Sequence, residues 1–166
     1  MESQLEPISP GRIEEAELAG MTINGGSCFS RKGYWTQTVS DVKIYLPLRL
    51  FGEFGASRTA QDKKLKIEFL RMEISISYES ILCLELEYII KPAECTWMLE
   101  YIAEGMKHSS GPKRPNYLVL HLTKAPSIEW FPGCEWWDRV FVDDEPIDTL
   151  TCSIGTDVTD LPDVSI

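Results

Sequence analysis

The stretch Leu82–Tyr88, LCLELEY, alternates between large apolar residues and cysteine or glutamate. Successive side chains of a β-strand point to opposite faces of the sheet, so this alternation is typical of a strand with one buried face. Further stretches with the alternation or composition of strands lie on both sides of it. They are Tyr34–Thr38, Asp41–Leu46, Lys64–Phe69, Leu70–Ile76, Thr96–Tyr101 and Tyr117–Lys124. The sequence therefore predicts seven short strands.

The connections between these stretches carry no helical pattern long enough for a crossover. Parallel strands need such a crossover, so its absence excludes parallel βαβ folds. We therefore expect an all-β fold, a seven-stranded antiparallel β-sandwich. At Leu70 the alternation shifts by one residue, which indicates a bend or bulge between two short strands.

Composition and charge narrow the class of protein. The chain has 166 residues, of which 43% are hydrophobic and 25% charged, as expected for one globular domain. No apolar run approaches the length that crosses a bilayer. The 16 basic and 26 acidic residues give a net charge of −10, without a basic stripe. We therefore expect neither a nucleic acid nor a membrane as a partner.

Three regions differ in composition. Residues 1–33 are rich in glycine and proline, which predicts a flexible N-terminal segment with room for one short helix near Arg12–Leu18. Residues 34–142 hold the predicted sandwich. Residues 143–166 form an acidic C-terminal tail that either contacts apolar client surface weakly or is a solvated extension. The lack of a C-x-x-C pair and of a signal peptide favours a reduced, cytoplasmic protein.

Catalytic motifs are missing from the sequence. It has no P-loop, no dinucleotide-binding or hydrolase motif and no zinc-protease motif. The two histidines are His108 and His121, and a nucleophile pair of Cys134 with His121 is the one catalytic arrangement left open. We therefore expect no enzyme, no cofactor and no metal site.

Short motifs follow one another in a specific order along the chain. Trp35–Thr38 is WTQT, Lys91–Glu100 is KPAECTWMLE, Leu120–Lys124 is LHLTK, Glu135–Phe141 is EWWDRVF and Glu145–Thr149 is EPIDT. In this order they resemble the CS domain of the nuclear distribution C (NudC) family, over about Tyr34 to Thr149. Cys95 departs from the family's pattern, which has serine at that position.

The resemblance implies a seven-stranded sandwich of the CS and small heat-shock protein type, without enzymatic activity. It also implies a co-chaperone that binds heat shock protein 90, the ninety-kilodalton chaperone, and unfolded clients, whose aggregation it prevents. An alternative is an interaction adaptor in dynein-regulatory or other nuclear-migration assemblies, without holdase activity. The sequence shows neither the N-terminal coiled coil nor the long C-terminal helix of full NudC proteins, which leaves dimerisation and the dynein connection open.

The tryptophans are the main candidates for a partner-binding surface, so which of them are buried must be predicted first. Trp97 and Trp35 lie in predicted strands, and we expect both in the core, with partner binding as the alternative for Trp35. Trp136 and Trp137 are adjacent, so in an extended segment only one of them is easily buried against the sheet. The other is expected to be partly exposed.

An aromatic group therefore follows the last predicted strand, consisting of Trp130, Phe131, Trp136 and Trp137. It is either an exposed patch that anchors a partner or client, or a cover for the edge of the sandwich. We expect Trp137→Ala to weaken partner binding and to retain the fold.

Basic residues around one strand suggest a second contact, since they complement an acidic chaperone surface; alternatively they protect an edge strand. The candidate partner-binding residues are thus Trp35, Trp130, Phe131, Trp136, Trp137 and Arg139, with the basic Lys63, Lys64, Lys66 and Arg71.

Overall fold

The computed structural model describes residues 24–29, 32–51, 65–78, 81–102, 114–126 and 135–152. Within these ranges the chain forms eight strands in two antiparallel sheets, with three short 3-10 helices. The strands are β1 Gly26–Cys28, β2 Gly33–Gln37, β3 Asp41–Pro47, β4 Lys66–Leu70, β5 Glu73–Ser77, β6 Ile81–Glu85, β7 Thr96–Glu100 and β8 Tyr117–Thr123. The 3-10 helices are η1 Leu48–Phe51, η2 Pro92–Glu94 and η3 Thr149–Thr151. The predicted all-β antiparallel sandwich is confirmed.

The strand β1 was not predicted from the sequence. It lies within residues 1–33, which were expected to be flexible, and pairs with β2 from Gly26↔Trp35 to Cys28↔Gly33. A stretch of three residues is too short to show alternation, so pairing with β2 is what identifies it as a strand. The short helix predicted near Arg12–Leu18 lies outside the described residues. No helix among the described residues is long and apolar enough to span a membrane.

The larger sheet has the strand order β1-β2-β3-β8-β7. At its centre β3 and β8 pair from Asp41↔Thr123 to Pro47↔Tyr117, which brings the alternating apolar residues of both strands onto one face. These residues are all 0% exposed: Val42, Ile44, Leu46, Leu118, Leu120 and Leu122. They form one wall of the core.

The smaller sheet has the order β4-β5-β6 and forms the other wall. Ile74 and Ile76 of its central strand are 0% and 1% exposed. Leu70 pairs with Glu73, so the phase shift in the sequence marks the two-residue turn of a hairpin. Of the predicted bend or bulge between two short strands, the structure has the bend. Met72 lies in this turn and is 44% exposed.

The face of the larger sheet that points away from the core is also covered at its tyrosines. By their register, Tyr34, Tyr45 and Tyr117 lie on this face, and they are 5%, 2% and 2% exposed. The rings of Tyr34 and Tyr45 stack at 4.7 Å between centroids, and Tyr117 meets Tyr34 edge-on at 6.1 Å. These positions therefore offer little accessible surface to a partner.

The last described part of the chain, residues 135–152, is called the C-terminal segment below, and it packs along β6. Leu86 pairs with Phe141, and the backbone N–H of Val142 donates to the carbonyl of Glu85 at 3.1 Å. Trp137 and Phe141 belong to the core cluster. This pairing continues the smaller sheet and covers the end of its β6 edge.

The segment that follows is part of the folded body as well. The backbone N–H of Phe29 donates to Asp144 Oδ1 at 2.9 Å, and that of Ile147 donates to the carbonyl of Asp138 at 2.7 Å. The acidic tail predicted from residue 143 onward thus begins with residues that contact the sandwich, and residues 153–166 lie outside the described part.

Candidate partner-binding site

Lys124, directly after β8, carries a charged group into the protein. Lys124 is 6% exposed, and Leu122, which lies on the same face of β8, belongs to the core. The ammonium donates hydrogen bonds to Gln37 Oε1 at 2.7 Å and to the carbonyl oxygens of Thr38 at 2.7 Å and Glu135 at 2.8 Å. A buried ammonium needs such acceptors, because losing water without them is costly.

Gln37, at the end of β2, connects this ammonium to the C-terminal segment. Its Oε1 also accepts from the backbone N–H of Trp137 at 2.9 Å, and its Nε2 donates to the carbonyl of Trp137 at 2.8 Å. The side-chain amide thus pairs with the backbone of Trp137 as a neighbouring strand would. Lys124, Gln37 and residues 135–137 together are called the lysine clamp below.

The lysine clamp decides which of the two adjacent tryptophans is buried. Trp137 is 0% exposed and its ring lies 5.3 Å from that of Tyr88, whereas Trp136 is half-buried. The ammonium of Lys124 lies 5.4 Å from the Trp136 ring centroid, within the range of a cation–π contact. The prediction that one of the pair is buried and the other partly exposed is confirmed.

Two of the candidate residues need correction, because their side chains lie in the core. Trp137 has no exposed surface, so a partner cannot reach its ring, and Trp137→Ala is expected to damage the fold rather than binding alone. Trp35 is 1% exposed, in agreement with its predicted core position and against the alternative of direct partner contact. Trp97, also expected in the core, is only partly buried because β7 is an edge strand.

Arg139 is engaged within the protein. Its Nη2 lies 3.2 Å from Glu87 Oε2, and its Nη1 donates to the carbonyl of Asp144 at 3.2 Å. Beside it, Tyr88 donates its hydroxyl hydrogen to Asp138 Oδ1 at 2.5 Å. These contacts fix the segment after Trp137 against the residues that follow β6. The side chain of Arg139, predicted to bind a partner, thus has a structural role.

The predicted basic cluster is not compact in its described part. Lys66 begins β4 and Arg71 follows its end, so the two exposed residues are separated by the length of a strand, roughly 16 Å. Lys63 and Lys64 lie outside the described residues, as do Trp130 and Phe131. Their partner contacts remain predictions.

One of the apolar residues of the acidic tail predicted from residue 143 onward is strongly exposed in the structure. Leu150 in η3 is 92% exposed, and its backbone N–H is held by Asp148 Oδ1 at 3.0 Å. Two residues later, Cys152 Sγ lies 3.9 Å from Gln37 Nε2, which ties this segment to the lysine clamp. Asp148 is the N-cap of η3, so the start of this short helical turn has a local signal in the sequence, whereas the exposure of Leu150 has none.

Two buried thiols, Cys28 and Cys95, are not activated as nucleophiles. Burial raises the pKa of the Cys28 thiol, and the nearby Asp144 raises it further. Burial also raises the pKa of Cys95, whose Sγ donates to the carbonyl of Lys91 at 3.2 Å. A nucleophilic cysteine needs the opposite shift, so these two thiols suit structural roles.

The catalytic pair left open by the sequence is described only in part. His121 points outward from β8, where its Nε2 lies 3.6 Å from Asp41 Oδ1 at the surface. Cys134 lies outside the described residues. Among the residues that are described, no three His, Cys, Asp or Glu side chains are grouped as metal ligands would be.

Comparison with known proteins finds a similarity to one domain family. A family model of the CS domain matches residues 31–104, and this similarity agrees with the predicted fold class. The match includes β2 to β7, whereas Lys124 and the C-terminal segment lie beyond it.

Comparisons of the whole chain with curated proteins and with solved structures identify no further relationship that bears on function. No curated protein matches the sequence. A solved structure described as a nuclear movement protein from E. cuniculi GB-M1 is similar, with 18% sequence identity and a TM-score of 0.39. The alignment covers 67% of this chain and 99% of that one, and a similarity of this size carries no functional argument.

Proposed function

We propose that the protein is a non-enzymatic, cytoplasmic co-chaperone of the NudC type. It binds heat shock protein 90, unfolded client proteins or both, and keeps clients from aggregating. The similarity to the CS domain supports this proposal, as do the motifs that continue the resemblance beyond residue 104, LHLTK, EWWDRVF and EPIDT. Function does not follow from fold alone, so the proposal also needs a surface that can bind a polypeptide.

The observation that carries the proposal is the exposed apolar surface beside the lysine clamp. Trp136 is half-buried, with the ammonium of Lys124 near its ring, and Leu150 is 92% exposed. Residues close to each of them in the chain contact Gln37: its Nε2 donates to the carbonyl of Trp137, next to Trp136, and lies near Sγ of Cys152, two residues after Leu150. Aromatic and aliphatic side chains on fixed backbone are the usual anchors of protein interfaces, because little ordering entropy is lost when they bind.

The client-binding part of the proposal is tested by light scattering. A heat-labile client is warmed with the protein in molar excess, and the wild type is expected to reduce the scattering. The double variant Trp136→Ala/Leu150→Ser should reduce it less, whereas Ile81→Ser, a change at a 72% exposed residue of β6, serves as the matched control. Scattering that is unchanged by the wild type would contradict the holdase role.

The chaperone-binding part is tested by pull-down from lysate with the full chain. Recovery of heat shock protein 90 with the wild type, and less of it with the double variant, is the expected result. Recovery of cytoskeletal regulators without that chaperone would instead support the adaptor role in nuclear migration.

A further inference from the structure

One row of side chains on the outward face of the larger sheet is buried at its centre and exposed at both ends. The strand register places Ser27, Tyr34, Tyr45, Val119 and Met98 side by side across the sheet. Ser27 is exposed and Met98 is 53% exposed, whereas the three residues between them are 5%, 2% and 5% exposed. The burial is therefore local and lies over β2, β3 and β8.

Contacts within the sheet do not account for this burial. Tyr34 and Tyr45 stack with their rings 6° from parallel, so each shields one face of the other. Side chains of a strand stand roughly perpendicular to the sheet, which leaves the outer ends of such rings pointing away from it. On an open face these ends would stay in water. The low exposure of both rings therefore requires a further layer of protein over them.

The longer described segments outside the strands are anchored on the other side of this sheet. They are η1, residues 86–94 and residues 135–152, and each places apolar side chains in or against the core between the two sheets. These side chains are Leu48, Leu50 and Phe51, then Leu86 and Ile90, and finally Trp137, Val140 and Phe141. None of these described segments therefore forms the outer layer.

The residues before β1 are placed where they can form it. Asn24, two residues before β1, is 1% exposed. At Gly25 the chain already lies against β2, since a Cβ there would be 2.7 Å from Cα of Thr36, an outward-facing residue that is 4% exposed. From β1 to β8 there are three strand spacings, about 14 Å, which about five extended residues can cross. Residues 1–23 are therefore long enough to pass over the tyrosines.

Residues 1–23 also have the composition of a covering layer. Their large apolar residues are spread along the segment and include Leu5, Ile8, Ile13, Leu18, Met21 and Ile23. Residues 103–113, which join β7 to β8, contain a single large apolar residue, Met106. Residues 153–166 follow Cys152, which lies near Gln37 on the core side of β2, beside the backbone of Trp137.

We infer that residues 1–23 lie over the outward face of the larger sheet and bury Tyr34, Tyr45, Tyr117 and Val119. This face is then an internal docking surface, and another protein reaches the tyrosines only when the segment leaves. A tethered segment has an effective concentration of about 1 mM, so a dissociation constant of about 0.1 mM keeps the face covered about nine-tenths of the time. The inference does not depend on the proposed function.

Tyrosine acetylation in the full chain tests the inference. N-acetylimidazole modifies accessible tyrosine hydroxyls, and peptide mass spectrometry gives the rate at each residue. Tyr88 is the internal reference, because it lies away from this face with its hydroxyl on Asp138. A variant that unfolds would raise the rate at Tyr88 as well, so only a rise confined to the outward-facing tyrosines counts as exposure of the face.

Two matched variants of residues 1–23 are compared. One removes apolar side chains and the other removes the same number of charges: Ile8→Ser/Ile13→Ser/Leu18→Ser and Glu6→Gln/Glu14→Gln/Glu17→Gln. The serine variant is expected to speed acetylation of the three outward tyrosines at least about fivefold, relative to Tyr88. The glutamine variant should leave it unchanged. If the triple serine variant unfolds, Ile13→Ser and Glu14→Gln give the same comparison.

Three results would overturn the inference. Acetylation that is unchanged in the serine variant would assign the layer to another segment, such as residues 153–166. Equal increases in both variants would remove the apolar contact on which the inference rests. Acetylation of the wild type that rises on dilution would assign the layer to a second copy of the chain.

A peptide with the sequence of residues 1–23 provides the second measurement. Fluorescence anisotropy of the labelled peptide is recorded with the full-length serine variant and with the wild type. Since the segment covers the face in the wild type, the peptide is expected to bind the serine variant at about 0.1 mM and the wild type about tenfold more weakly. Equal binding to both proteins, or binding to neither, would overturn the inference.

Discussion

The ammonium of Lys124 lies 2.7 Å from Oε1 of Gln37, although 87 residues separate them in the chain. The same oxygen accepts from the backbone N–H of Trp137, which is 100 residues from Gln37. One side-chain amide thus joins the end of β2, the end of β8 and the C-terminal segment. Because the ammonium is charged and 94% of the surface of Lys124 is withdrawn from water, each of these contacts matters for stability.

Replacing Lys124 with methionine is expected to lower the free energy of unfolding by about 2–4 kcal/mol, because it leaves buried oxygens without their donor. Urea denaturation followed by far-ultraviolet circular dichroism measures this loss. Lys91→Met is the matched control, since Lys91 lies at the surface in an exposed ion pair with Glu94 at 3.6 Å. The control is expected to change stability by less than about 0.5 kcal/mol. Similar losses in both variants would contradict a special role for Lys124.

The adjacent tryptophans should respond differently to alanine. Trp137→Ala removes a fully buried ring and is expected to cost about 3–5 kcal/mol. Trp136→Ala removes a half-buried ring and its contact with the Lys124 ammonium, so a loss of about 1 kcal/mol is expected. Thermal unfolding of the two variants side by side provides the measurement. A Trp137→Ala protein as stable as Trp136→Ala would show that the burial assigned to Trp137 is wrong.

The sandwich was predictable because its strands show their buried face locally. Val42, Ile44 and Leu46 alternate with polar residues in the sequence, and the structure places all three at 0% exposure. The hairpin turn at Arg71 was harder to recognise, because a shift of phase has the same appearance in a bulge and in a two-residue turn. The strand β1 was not predicted, because its three residues acquire their strand conformation only by pairing with β2.

The candidate site was less predictable because it depends on contacts between distant parts of the chain. The sequence showed that only one of Trp136 and Trp137 is easily buried, but the choice between them is made by Gln37, which binds the backbone of Trp137. Lys124 was part of a recognised motif, yet nothing local shows that its ammonium points inward. The exposure of Leu150 likewise follows from where η3 lies on the sandwich.

Neighbouring glycines in the first strand region should differ in their tolerance of alanine. A Cβ on Gly25 would clash with the carbonyl oxygen of Trp35, and this backbone clash can be relieved only by moving β1 away from β2. Gly25→Ala is therefore expected to cost about 3 kcal/mol or more. A Cβ on Gly26 would lie 2.9 Å from Cγ2 of Ile147, which a small side-chain movement relieves.

Gly26→Ala is accordingly the control, with an expected loss of about 1 kcal/mol. Urea denaturation of both variants gives the comparison. The close approach of Gly25 to the Trp35 carbonyl is refuted if Gly25→Ala is as stable as Gly26→Ala.

The pH dependence of stability should reveal Asp144. Burial raises the pKa of its carboxyl above the ordinary value of 3.8, although the hydrogen bond from the backbone N–H of Phe29 and the charge of Arg139 act in the opposite direction. The folded state therefore holds this proton more tightly than the unfolded state. Its contribution to stability is complete below pH 3.8 and is lost as the pH rises through the folded-state pKa.

Asp144→Asn carries no titrating proton and keeps an oxygen that can accept from Phe29. It should therefore match the wild type at about pH 3 and become the more stable of the two as the pH rises toward about pH 7. Urea midpoints of both proteins across this range measure the difference. Glu145→Gln, at an exposed neighbouring acid, is the control for the loss of one carboxylate charge. If Asp144→Asn were less stable than the wild type at neutral pH, the ionised carboxylate would be a favourable group, and the assigned effect of its burial would have the wrong sign.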